Sequence, residues 1–224
     1  MRTALLFGAS RGVGFELARS LRRAGVRVVA MLRSDAGREE LRELGVELIR
    51  GDAMDERDIQ AAFELAGEAP VVVSSLGGSR VDGMSVDEHG NIRVIDRARR
   101  HGVERLVLVT SLGCGEMLPY RSERARQAFG ASVEAKTRAE DHLRATELPF
   151  TILRPGGLRS EPATGRGILT TDPEMHGFIH REDVAELVHR ILLDPSTERG
   201  VYAAVDSAFA RCVNPVDPVP LRPL

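Results

Sequence analysis

Short apolar runs alternate with amphipathic segments along most of the chain. Residues 4–7 are continuously apolar, as a strand buried on both faces requires. Residues 15–24 carry apolar positions at helical spacing and are closed by Gly25. The same alternation then repeats. Strands are expected at Arg27–Leu32 and at residues 46–50, 70–75, 105–110, 150–153 and 201–205. Helices are expected at residues 39–44, 55–66, 132–146, Asn91–His101 and Arg181–Leu193, with Asp55 as the N-cap of the second of these. Strand after helix after strand predicts an α/β fold: a Rossmann-type, doubly wound parallel sheet of about seven strands with helices on both faces.

No internal repeat or linker divides the chain. Residues 1–213 are expected to form one domain, with a small substrate-binding part at about 155–213. The tail, 214–224, contains Pro215, Pro218, Pro220 and Pro223. Four prolines rule out a helix or a central strand there. The tail is either a disordered end or an extended arm on the body or on a second subunit. A monomer and a homodimer both remain open.

Composition narrows the partners. Hydrophobic residues make up 42% of the 224, enough for a sizeable core. The 31 Lys+Arg are offset by 33 Asp+Glu, so no nucleic-acid partner is expected. No apolar stretch nears the roughly 20 residues of a membrane span, and the N-terminal run is too short for a signal peptide. Cys114 and Cys212 have no metal-ligand spacing, and the histidines are scattered, so no metal is expected. A reducing, cytoplasmic setting fits these features.

The candidate chemistry begins at Gly8-Ala9-Ser10-Arg11-Gly12-Val13-Gly14, which follows the first strand and opens the first helix. Gly8, Gly12 and Gly14 let the chain turn tightly. Ser10, Arg11 and Val13 lie in the same turn, where a helix N-terminus favours a pyrophosphate. This predicts a dinucleotide site. An NAD site usually has a carboxylate at the end of the second strand. Here Arg33 stands 19 residues after Gly14, beside Ser34, and Arg11 lies inside the turn. Two guanidiniums suit the 2′-phosphate of NADP(H), although Asp35 is close by. Asp52 and Ala53, after the third strand, are placed near the adenine; Asp52 either accepts from the adenine amino group or caps a helix. Ser75, Leu76 and Gly77 end the fourth strand beside the pyrophosphate.

Taken in order, the glycine turn, Gly51-Asp52, Leu108-Val109-Thr110-Ser111, Thr151-Ile152-Leu153-Arg154-Pro155-Gly156-Gly157-Leu158 and Phe178-Ile179-His180-Arg181-Glu182-Asp183-Val184-Ala185 resemble the short-chain dehydrogenase/reductase superfamily. The likeness is greatest to its atypical branch, the NmrA-like and biliverdin/flavin reductase-like proteins. The resemblance implies hydride transfer at the C-terminal edge of the sheet. It implies that Lys136 bonds the nicotinamide ribose and that Ser111 is the active-site serine. It places Pro155, Gly156, Gly157 and Leu158 along the nicotinamide.

One departure bears on mechanism. The superfamily pattern is Tyr-x-x-x-Lys, and four residues before Lys136 this chain has Ser132. A serine hydroxyl is a far weaker acid than a phenol. Conjugated acceptors such as quinones and flavins stabilise the anion formed and need less help from a protein acid. The reading is therefore an NADPH-dependent reductase of a small conjugated or carbonyl substrate. Tyr120 is either a displaced proton donor or a surface aromatic, and Phe129 lines the pocket or packs in the core. His180 either donates a proton or caps a helix, and Cys114 reads as a packing residue. Residues 117–131 and 159–178 are expected to form the substrate pocket. The alternatives are an NADP(H)-sensing protein without turnover and, less favoured by the missing tyrosine, an epimerase.

Overall fold

All five residues of the first strand, β1 (Thr3–Phe7), are buried. Their side chains alternate between two cores, as the period of an extended chain dictates. Ala4 and Leu6 join one core, Leu5 and Phe7 the other. The computed structural model describes residues 3–78, 80–81 and 84–223 of the chain. Within them the elements run β1, α1 (Gly12–Arg23), β2 (Arg27–Leu32), α2 (Arg38–Glu43), β3 (Glu47–Arg50), α3 (Glu56–Ala66) and β4 (Val71–Ser74). A hairpin follows, β5 (Arg80–Val81) with β6 (Met84–Ser85), then a π-helical turn (Val86–Gly90) leading directly into α4 (Asn91–His101). Next come β7 (Arg105–Val109), a 3-10 turn (Gly115–Tyr120) and α5 (Glu123–Arg144). The chain continues through β8 (Phe150–Pro155), β9 (Gly157–Arg159), β10 (Gly167–Thr170), β11 (Phe178–His180), α6 (Arg181–Leu193) and β12 (Val201–Asp206).

Eight strands form the main sheet in the order β10-β12-β8-β7-β4-β1-β2-β3. Every pairing in it is parallel except β10 with β12. Helices α1 and α6 cover one face and give Leu17, Leu21, Val184 and Val188 to its core. Helices α3, α4 and α5 cover the other through Ile59, Phe63, Val94, Ile95, Ala139 and Leu143. Asp55 caps α3, its carboxylate accepting from the Arg57 amide.

Two features differ from the sequence reading, and a third concerns the tail, which that reading left open. The sheet has an eighth strand, the antiparallel edge strand β10, inside the segment expected to form part of the substrate pocket. Its four residues are too few for a legible alternation. Second, α5 starts at Glu123, nine residues before the expected start at 132. Its first half is polar and exposed and contains Gly130, so no apolar stripe marks it. Ser122 gives it a proper cap, accepting from the Ala125 amide at 3.2 Å. Third, the proline-rich tail is an extended arm on the body of the same chain. The Val219 amide donates to the Leu169 carbonyl at 2.8 Å, and Arg190 donates to the carbonyls of Leu221 and Arg222.

The α1–α6 contact makes one pH-dependent prediction. His189 is buried in α6, its Nδ1 2.9 Å from the Ser20 hydroxyl of α1. Burial lowers its pKa below the ordinary 6.5. Below that pH the unfolded chain takes up a proton that the folded imidazole resists, so stability falls as the solution is acidified. Urea midpoints measured from pH 7.5 to 5 should drop less steeply in His189→Gln than in the parent; equal slopes would refute the assignment.

Candidate functional site

β1 and β4 lie side by side, but the chain leaves them toward opposite faces of the sheet. Such a switch point opens a crevice at the C-terminal strand ends. A groove of 1230 Å³ occupies it. At its centre is the turn after β1, where Gly8 and Gly12 have φ of +92° and +62°. A Cβ on Gly8 would lie 2.8 Å from the Ser75 backbone, and one on Gly14 would collide with the Gly8 carbonyl oxygen. The glycines thus seat β4 and α1 against the turn and leave its outer side bare. The N-cap residue, Arg11, makes no side-chain cap bond, and the first turn of α1 has no acidic residue. Its unpaired N–H groups and dipole are left for an anion. A dinucleotide pyrophosphate fits this cradle.

At one end the groove is lined by Arg11, Arg33, Ser34 and Ala36. Both guanidiniums are exposed there. Asp35, the residue that weighed against NADP(H), is held elsewhere: Arg38 bonds its carboxylate at 2.7 Å and Arg50 lies 3.8 Å away. The Arg38 bond, then its charge, pulls the Asp35 carboxyl below its usual range. Asp52 and Ala53 line the same wall. The Asp52 carboxylate accepts from the Met54 amide at 2.9 Å, so it closes a local turn while facing the groove. The glycine turn contributes Gly8, Ser10, Gly12 and Val13 to the lining, and the end of β4 contributes Ser75, Leu76 and Gly77.

The other end is lined by Thr110, Ser111, Lys136, Pro155 and Leu158. Lys136 forms an ion pair with Asp87, a buried residue of the π-helical turn. The second oxygen of that carboxylate accepts from the Ser132 hydroxyl at 2.8 Å. The serine in the tyrosine position and the lysine are therefore joined by one carboxylate. Sequence reasoning passed over Asp87, because the hairpin and π turn before α4 show no periodic signal. One signal was present: Lys136 is the single lysine among 31 lysines and arginines. Arg181, Glu182, Glu16 and Arg19 also line the groove and were not anticipated. Arg181 reaches over Gly12 and donates to the Ser160 hydroxyl at 2.7 Å.

Beneath Thr110 and Ser111 lies a buried charge network. The Arg154 guanidinium, 2% exposed, pairs with the fully buried Glu140 and, at 3.0 Å, with Glu116. Glu140 also accepts from the Thr110 hydroxyl at 2.6 Å. For Glu116, burial opposes ionisation, but the Arg154 bond and charge outweigh it and leave the pKa at about 2. A Cβ on Gly115, at φ +53°, would collide with the Arg154 guanidinium. The network thus fixes β8, the 3-10 turn and α5 around the end of β7.

Several expected site residues do not line the groove directly. Gly14, Gly156, Gly157 and Tyr120 are outside the groove lining. Gly156 and Gly157 admit the neighbouring strand: a Cβ on them would meet the Gly177 carbonyl and, at 2.6 Å, the Phe178 ring. Tyr120 ends the 3-10 turn with an exposed ring, and Phe129 is more exposed still. Cys114 is buried, and burial raises its thiol pKa. His180 is the N-cap residue of α6 but its side chain makes no cap bond. It is buried 3.5 Å from Asp183 and 3.8 Å from Asp206. Those three residues have the donor types of a metal site. Their carboxylates already accept from Thr164, Gly165, Arg166 and Ala208, however, and so act as a knot tying the loop before β10 to α6 and β12.

The fold and the groove define a Rossmann-type nucleotide-binding protein of the atypical short-chain dehydrogenase/reductase kind. The chain belongs to the NAD(P)H-binding family, whose model matches residues 8–195. Among solved structures it is similar to ChuY, an anaerobillin reductase from Escherichia coli O157:H7. The two are 38% identical with a TM-score of 0.84, over 92% of this chain and 97% of that one. The uncharacterized sugar epimerase YhfK of Bacillus subtilis is 31% identical over 77% of this chain and 79% of its own length. Sanguinarine reductase of Eschscholzia californica is 26% identical over 82% of this chain and 81% of its own. Among the described residues, no helix is long and apolar enough to cross a membrane.

Proposed function

We propose that the chain is an NADPH-dependent reductase of a small, conjugated acceptor. The observation that carries this is the two-ended groove, with arginines at the adenosine end, a glycine cradle between, and the Lys136–Asp87 pair at the other end. When bound, NADPH supplies a hydride. The chain's residues do the rest. The glycine turn holds the pyrophosphate, Arg11 and Arg33 bind the 2′-phosphate, and Asp52 and Ala53 flank the adenine. Ser75, Leu76 and Gly77 border the pyrophosphate. Lys136 orients the nicotinamide ribose, and Ser111 faces the acceptor between Thr110 and Pro155. Pro155 and Leu158 give that end an apolar wall, which suits a flat conjugated molecule. The two named reductases among the relatives are consistent with such an acceptor.

The test is NADPH oxidation by the pure protein with quinones, flavins, anaerobillin and sanguinarine. The reading requires saturable turnover of at least one acceptor. NADPH oxidation at background rate with every acceptor would instead favour the NADP(H)-sensing alternative, to which Ser132 in the tyrosine position points. Coenzyme choice gives a second prediction. A charged hydrogen bond contributes about 1.5–3 kcal/mol, so Arg33→Ala should weaken NADPH binding roughly 10- to 100-fold. NADH binding should change less than about threefold. Equal losses for both coenzymes would remove Arg33 from the phosphate site.

A further inference from the structure

Resting on the reductase reading, we propose that Asp87 and Ser132 are a proton relay to Lys136, which replaces the missing tyrosine as the acid of the reaction. Asp87 is a positioning residue that acts through Lys136. Its side chain is 5% exposed, and it spends one oxygen on the lysine ammonium and the other on the serine hydroxyl. The arrangement is held from behind. The Asp87 carbonyl accepts from the Asn91 amide group at 2.8 Å, and the Asn91 oxygen accepts from Ser74 at 2.6 Å, both buried. The Asp87 backbone is thus tied to the end of β4, one of the two strands that make the switch point. Gly77 keeps the wall open at this place: a Cβ there would lie 3.1 Å from the Asp87 oxygen and 3.2 Å from the Lys136 nitrogen.

Lys136 lines the groove, Asp87 is buried, and Ser132 is half-buried one helical turn before Lys136, bonded to the second Asp87 oxygen. A hydride from NADPH adds to the acceptor carbon and leaves an anion on the acceptor. One N–H bond of the Lys136 ammonium then breaks, and its proton forms the new O–H or N–H bond of the product. The neutral amine regains its proton in one concerted shift: solvent protonates the Ser132 oxygen as the Ser132 proton passes to the Asp87 carboxylate and on to the amine, so no serine alkoxide forms. The net change is one solvent proton taken up for each hydride transferred, and the only reductant is the coenzyme. Thirty of the 31 lysines and arginines are arginines, which keep their protons; the single lysine is at this site.

The single lysine makes the pair directly measurable. A small acylating reagent at pH 8, followed by peptide mass spectrometry, reports Lys136 alone, with the N-terminal amine as internal standard. In the protein without coenzyme, Asp87→Asn should raise the labelling rate at Lys136 about tenfold or more, because the ammonium loses its anionic partner. Ser132→Ala keeps that partner and should label slowly, like the parent. With a quinone acceptor and NADPH, both variants should lose kcat by roughly tenfold or more. NADPH affinity should change less than about threefold, and the solvent deuterium isotope effect on kcat should rise in Ser132→Ala. Unchanged labelling in Asp87→Asn overturns the pairing. Unchanged kcat and isotope effect in Ser132→Ala overturn the relay even if Asp87→Asn does not fold. Loss of NADPH binding in either variant would make these residues part of the coenzyme seat and also overturns it. If the parent protein binds no coenzyme, the reductase reading fails and takes the relay with it, whereas the labelling ratio still reports the ion pair.

Discussion

Replacing Lys136 by methionine is expected to lower kcat/KM by roughly 100- to 10,000-fold, the range a positioned acid contributes. Methionine keeps the length and apolar stem of lysine but has neither the charge nor the donor. The loss should fall mainly on kcat, because Lys136 sits at one end of a groove whose pyrophosphate and adenosine contacts lie elsewhere. NADPH affinity should weaken by no more than about tenfold, the worth of one or two hydrogen bonds. Steady-state kinetics beside a coenzyme titration separate the two quantities. A variant that retains a tenth of parental kcat would remove Lys136 from the chemistry. Asp87, 5% exposed, is then left to Ser132 and to solvent entering from the groove, so a urea midpoint measured beside the kinetics separates loss of stability from loss of chemistry.

The second large effect is on stability. Arg154→Met should cost about 3–5 kcal/mol, because it strands the Glu140 carboxylate, a fully buried charge, without its partner. The double variant Arg154→Met/Glu140→Gln should recover much of that loss. Breaking one side of a buried pair costs more than replacing both sides. Urea unfolding of the parent, both single variants and the double variant closes the cycle. A single-variant cost below about 1 kcal/mol would mean that water reaches the network and that it does not fix the Thr110–Ser111 turn.

Much of this architecture could be read from the chain. Long buried strands such as β1, β2 and β7 stand out as unbroken apolar runs, and α1, α3, α4 and α6 carry clear stripes bounded by caps or glycines. The glycine turn was legible because its spacing is dictated by close approach: Gly8 meets Ser75, and Gly14 meets Gly8. What escaped is what periodicity does not encode. Edge strand β10 is too short, and the first half of α5 faces solvent and buries no stripe. Asp87 lies in a π turn after a two-residue hairpin, 49 residues from Lys136 in sequence. Its partnership with Lys136 and Ser132 is a tertiary fact. The departure at Ser132 was visible, and it marked the place where the site differs from its superfamily, but the carboxylate behind it was not. Tyr120 was singled out because tyrosines are few, and the structure sets its ring outside the groove lining.

Calorimetric titration of the purified protein with NADPH and with NADH decides whether the switch-point groove takes a dinucleotide carrying a 2′-phosphate. A one-to-one complex with NADPH is expected, at least tenfold tighter than the complex with NADH, the difference vanishing in Arg11→Ala/Arg33→Ala. Heat of dilution alone with both coenzymes would contradict it.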